Sequence, residues 1–154
     1  MKKQYIVIGG ILLLGLVVVI ASQTLFRDSK DAATIEYRTE SEPLEFRFPD
    51  APDFTECYWK ADTIGQTYFG PTNYWMRGFI ILDENTFQKI LADYEWTSNS
   101  IDFPNGIAPD VTGRNGFDWY INKKFEQLLL RHSFVGHIFL DTVNGILYFD
   151  VENM

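Results

Sequence analysis

VGHIFLDTVNGILYFDV, residues 135–151, is the stretch on which the fold turns. Val135–Asp141 and Ile146–Val151 are rich in aromatic and β-branched residues, which favour strands. Asn144-Gly145 between them is the preferred pair for a two-residue type I′ turn. That turn pairs Val143 with Ile146, Leu140 with Phe149 and Ile138 with Val151. One face of the hairpin then carries Ile138, Leu140, Leu147, Phe149 and Val151. The other carries His137, Phe139, Asp141, Tyr148, Asp150 and Glu152. A hairpin with one apolar face needs other elements packed on that face.

Two helices are predicted as its cover. Asp83 or Asn85 caps the first, and Phe87, Ile90, Leu91 and Tyr94 follow at helical spacing. Asp118 caps the second, with Ile121, Phe125, Leu128 and Leu129 along one side. Further strands are read at Thr34–Arg38, Leu44–Phe48, Phe54–Lys60, Gly65–Phe69 and Trp75–Leu82. The class is therefore α+β: an N-terminal transmembrane helix, then a mainly antiparallel sheet with about two packed helices. Thr97–Gly116, rich in Ser, Asn, Pro, Gly and Asp, is a long loop of the kind that is functional or mobile. It has room for a short strand around Ile101–Phe103.

At the other end of the chain, Tyr5 to Ala21 reads YIVIGGILLLGLVVVIA, with no charge and no proline. These 17 residues reach the lower limit for a membrane-spanning helix. Lys2 and Lys3 precede them, so the positive-inside rule puts the N-terminus in the cytoplasm and the rest outside. A cleaved signal peptide ending at Val19-Ile20-Ala21 is the competing reading. The apolar run is long for a signal-peptide core and has no polar break before that site, which favours a retained signal anchor. The chain then divides into the anchor at 1–21, a polar tether at 22–33 and an extracytoplasmic α+β domain at 34–154.

Beyond the anchor, 11 basic residues face 21 acidic ones, a net charge near −10. Such a domain repels phosphate backbones and anionic lipid, which argues against nucleic acid as a partner and against lying flat on the bilayer. Cys57 is the single cysteine, so no disulfide can form within the chain. The missing disulfide framework points to a bacterial cell surface, and an inert buried thiol is the expected state of Cys57.

Chemistry-bearing constellations are sparse. His132 extends the second helix. His137, facing Glu152 in the predicted register, reads as a surface ion pair or, at its sharpest, as part of a triad. No zinc or EF-hand spacing occurs, so no metal or other cofactor is expected; Asp110, Asn115 and Asp118 could together bind calcium through loop oxygens, but turn and capping roles account for the same residues. The most unusual stretch runs from Tyr68 to Gly78, where a turn signal is flanked by large aromatics. Asn73, Tyr74, Trp75 and Arg77 are the candidate ligand-binding residues, because exposed rings beside amide and guanidinium groups suit sugar or peptide recognition. The expected function is a non-catalytic binding module in the cell envelope, held by residues 5–21 and facing an envelope protein or glycan. Two alternatives stand beside it: a small envelope hydrolase centred on His137, and an acidic inhibitor or immunity-type protein that masks a basic partner.

Overall fold

The computed structural model describes residues 36–65, 73–130 and 134–153, all within the second of two units into which the chain divides, Ile35–Met154. The expected anchor and tether, His132, Tyr68–Thr72, and the Gly65–Phe69 strand beyond its first residue lie outside the described residues. No helix among the described residues is long and apolar enough to cross a membrane.

Among the described residues the domain is α+β, an antiparallel six-stranded sheet with three α-helices. In chain order the elements are α1 (Glu42–Arg47), β1 (Phe54–Thr63), β2 (Tyr74–Leu82), α2 (Glu84–Asp93), β3 (Thr97–Ser98), β4 (Trp119–Ile121), α3 (Lys123–Leu130), β5 (Phe134–Asp141) and β6 (Ile146–Asn153), with a 3-10 turn at Pro109–Thr112. The strands lie in the order β1-β2-β6-β5-β4-β3.

The C-terminal hairpin forms, two residues out of the predicted register. Asp141 pairs with Ile146, Leu140 with Leu147 and Ile138 with Phe149, so the turn is the four-residue Thr142–Gly145. Asp141 causes the difference. Its carboxylate is fully buried and accepts hydrogen bonds from the backbone N–H groups of Asp118, Val143 and Asn144 and from Asn144 Nδ2, at 2.7–3.2 Å. These bonds hold the turn open around the side chain. Gly145 still takes the left-handed backbone that the turn requires, at φ +67°. Because the slip is even, both faces of the hairpin keep their members.

One face of the sheet carries Met76, Ile80, Ile138, Leu140, Leu147, Phe149 and Val151, in a core with residues of all three helices. Asp83 caps α2 as expected, accepting from Asn85 N–H and Thr86 N–H, and Phe87 and Ile90 are buried. The second predicted helix begins later than expected, at Lys123. Asp118 does not cap it, because Trp119–Ile121 pair with β5 as a strand. Asn122 Oδ1 takes the capping role, accepting from Phe125 N–H at 2.9 Å. Phe125, Leu129 and Leu130 turn inward, whereas Leu128 is 43% exposed.

Leu44–Phe48 corrects the strand expectation: Glu42–Arg47 is helical. Pro43 suits a first helical turn, Glu42 and Glu45 sit at its positive end and Arg47 at its negative end. So short a helix does not stand alone. Leu44 and Phe48, both buried, fix it to the core. Of Thr34–Arg38, the described part makes only an isolated bridge, Arg38 to Trp59 on the outer edge of β1.

The opposite sheet face, read from the sequence as exposed, holds a second core. Phe79, Ile81, Phe139, Ile146 and Tyr148 are covered by Ile107 and Trp119, with Tyr37, Phe103 and Phe117 packed around them. Phe103 stands edge-on to Tyr148 with centroids 4.9 Å apart. The long loop is thus a lid that packs Ile101, Phe103, Ile107 and Val111 onto this face, and Ile101–Phe103 forms no strand. Burial on both faces accounts for the near-continuous apolar runs Ile138–Leu140 and Ile146–Phe149, which alternation alone does not.

Beyond Phe139, β5 extends past the end of β4 and lacks a neighbouring strand. Glu126 of α3 fills the gap. Its Oε2 accepts from Ile138 N–H at 3.3 Å and from His137 Nδ1 at 3.1 Å, and its Oε1 from Lys123 Nζ at 2.8 Å. Burial pushes the Glu126 carboxyl pKa up, but the bonds from Lys123, His137 and Ile138 outweigh it and hold the pKa below its ordinary value. A carboxyl depressed in the folded state adds stability above its unfolded pKa of about 4.3, and that stability is lost as pH falls through the folded value. Glu126→Gln is therefore expected to cost about 1–2 kcal/mol at pH 7. Denaturant titrations should show the gap between variant and parent closing below about pH 4.3. A gap of constant size down to pH 3 would refute a role for the charge.

Candidate recognition face

The lid covers only part of the second face. Cross-strand registers fix what lies beyond it. Lys60, Arg77, Asp150 and His137 form one row across β1, β2, β6 and β5; Asp62, Trp75, Glu152 and Val135 form the next. Side chains directly opposite on antiparallel strands have Cβ atoms about 5 Å apart, so each row is a line of neighbours.

Lys60 marks the lid's boundary. It is buried, its Nζ donates to Gly106 O at 2.9 Å, and it lies 4.2 Å from the centroid of the Tyr37 ring. Past it the surface opens. The His137 side chain is 60% exposed, Val135 is 43% exposed, and Asp62 and Glu152 are exposed. Trp75 is half-buried in the middle of its row. Arg77 holds it there: the guanidinium lies 4.8 Å from the indole centroid, and Nε donates to Asp150 Oδ1 at 2.6 Å. A charge-assisted bond to one side and a cation–π contact to the other keep Arg77 and the indole in one arrangement.

Of the four residues singled out in the sequence, the structure brings Trp75 and Arg77 together and separates the other two. Tyr74 lies on the helix-covered face, edge-on to Phe134 at 6.1 Å, and its hydroxyl accepts from Arg47 Nε at 3.2 Å. Asn73 precedes β2, is exposed, and uses its backbone carbonyl to accept from Ile64 N–H. Asp62, Val135, His137, Asp150 and Glu152 were not assigned to this surface from sequence. Strand order alone assembles them.

His137 does not face Glu152. Opposite it stands Asp150, because of the register slip, and its ring bonds Glu126 on α3. An ionised carboxylate only accepts, so Nδ1 carries the proton of that bond. No hydroxyl or thiol bonds to His137 among the described residues. Cys57 is distant from this chemistry. It is buried, its Sγ donates to Thr39 O, and burial, reinforced by Glu40 and Glu45, pushes the thiol pKa up to about 11. Such a thiol stays protonated and unreactive at neutral pH.

A second concavity, an open cleft of about 580 Å³, lies between the end of α2 and the start of α3. Its polar groups serve the fold: Asn122 Nδ2 donates to Glu95 O, and Lys123 is bonded to Glu126. Among the described residues no three His, Cys, Asp or Glu side chains converge as a metal centre. Compared with models of known families, with curated proteins and with solved structures, the chain gives no significant match, so no activity is carried over from a relative.

Proposed function

We propose that this chain is a membrane-anchored, extracytoplasmic binding protein of a bacterial envelope, and that it recognises an envelope protein or glycan without catalysing a reaction. The observation that carries the reading is the open part of the second sheet face, where Arg77 braces the half-buried Trp75 amid exposed polar side chains. A rigid, amphipathic aromatic in a polar rim is the usual make-up of a binding hot spot. The apolar run 5–21 behind Lys2 and Lys3 supports the anchor and its orientation. Residues 22–33 would let the domain stand off the bilayer by up to about 40 Å.

Two measurements test this. Chemical cross-linking on intact cells, followed by recovery of the full chain, reads the partner. Trp75→Ala should weaken its capture about tenfold or more while shifting the thermal midpoint by only a few degrees. Capture that is unchanged in the variant would remove this face from consideration. For the anchor, the chain should stay with membranes through high-salt and alkaline washing; a soluble chain beginning near Ser22 would show cleavage instead.

The hydrolase alternative rests on the His137–Glu126 pair. It is weaker because three donors already occupy that carboxylate, one of them a backbone N–H that closes the sheet edge. His137→Ala separates the two readings, since a hydrolase would lose its activity and a binding protein would keep its partner.

A further inference from the structure

The row through Trp75 has a chemical polarity that the recognition reading leaves unspecified. Asp62 on β1 and Glu152 on β6 stand directly beside Trp75, one on each side. Neighbouring strands are about 4.8 Å apart, so the two carboxylate-bearing strands bracket the indole across about 10 Å. Both acids are exposed. Among the described residues, Asp62 accepts only from the adjacent Thr63 N–H, and Glu152 makes no hydrogen bond or ion pair. The next row differs, because there Arg77 neutralises Asp150. Arg77 also shows that this indole accepts a guanidinium at 4.8 Å, and a ring has two faces.

We infer that Asp62, Trp75 and Glu152 form a seat for a cationic side chain, the arginine or lysine of a basic segment of a partner protein. The inference rests on the reading of this face as a recognition surface. An aromatic plane between two carboxylates offers a cation both a quadrupole and opposite charges. Bulk charge favours the same occupant: the part of the chain beyond residue 21 is near −10, with 11 basic and 21 acidic residues, and so attracts basic partners at long range. A neutral glycan would use the ring and leave both carboxylates uncompensated.

The test uses the full-length protein in neutral detergent and three fluorescent probes: a nine-residue peptide alternating arginine and serine, its glutamate–serine counterpart, and a neutral N-acetylglucosamine oligomer. The arginine peptide should bind, and binding should fade as salt approaches 1 M, where the Debye length is about 3 Å. The double variant Asp62→Asn, Glu152→Gln should bind it about three- to tenfold more weakly, as two exposed charge contacts allow. Asp93→Asn, in the separate cleft beside α3, should bind it as the parent does. Equal loss in Asp93→Asn would reveal attraction to bulk charge alone and overturn the seat. So would unchanged affinity in the double variant, or preference for the oligomer. If the double variant still captures the cross-linked cellular partner and Trp75→Ala does not, the cationic seat fails and the recognition face stands. If neither variant affects capture, both fail. Thermal midpoints matching the parent should accompany the double variant and the single variant Glu152→Gln, since both side chains are exposed.

Discussion

Asp141→Asn is expected to destabilise the domain by about 3–4 kcal/mol, a loss out of proportion to the exchange of one atom. The Asp141 carboxylate is fully buried and accepts from four donors, two on each oxygen. An amide supplies one accepting oxygen, and its NH2 would confront the two donors left on the other side. Either those N–H groups stay unbonded, or the turn opens. The four donors come from the Thr142–Gly145 turn and from Asp118 at the entrance to β4, so one carboxylate ties the hairpin to its neighbour. Urea denaturation of the full chain reads the effect, with Asp93→Asn, an exposed acid, expected to change stability by less than about 0.5 kcal/mol. A similarly small change in Asp141→Asn would show that the turn does not depend on this charge.

Gly78→Ala should cost about 3 kcal/mol or more, at the upper end for adding one methyl group to a packed interior. Gly78 lies in β2 opposite Trp59 of β1. A Cβ at Gly78 would come within 2.3 Å of Tyr58 O and 2.7 Å of Trp59 Cα and Cβ. Two of those three atoms belong to the backbone, which cannot rotate away as a side-chain tip does. Relief requires β1 and β2 to separate locally, and with them the bridge that Trp59 makes to Arg38. A melting temperature lowered by about 10 °C or more is the expected readout, and a midpoint within 2 °C of the parent would contradict the close approach.

Some of this was readable from sequence and some was not, for physical reasons. Membership of the two hairpin faces was legible because side-chain alternation survives an even slip. The register was not, because Asn144-Gly145 signals a tight turn locally while the donors gathered by Asp141 include one 23 residues earlier in the chain. α1 was misread because Leu44-Glu45-Phe46-Arg47-Phe48 alternates like a strand, whereas Pro43 and the placement of its charges favour a helix turn. The second core was missed because its lid, residues 99–118, has a loop's composition; only its spaced aromatics betray packing. At the candidate site, Trp75 and Arg77 were visible because they share one strand. Asp62, His137 and Glu152 arrive from three other strands, and strand order cannot be read from a single chain.

The position of β6 has a consequence for biogenesis. β6 follows the other five strands of the sheet in the sequence, yet it lies between β2 and β5. Until Ile146–Asn153 has been made, the β1–β2 hairpin and the β5-β4-β3 group have no shared partner, and each keeps an apolar edge unpaired. N-terminal parts of many proteins fold during synthesis, but here the sheet cannot close before Ile146–Asn153 is available. A chain that stopped before Ile146 would leave two half-sheets with exposed strand edges, which is a species for quality-control proteases rather than a shortened domain.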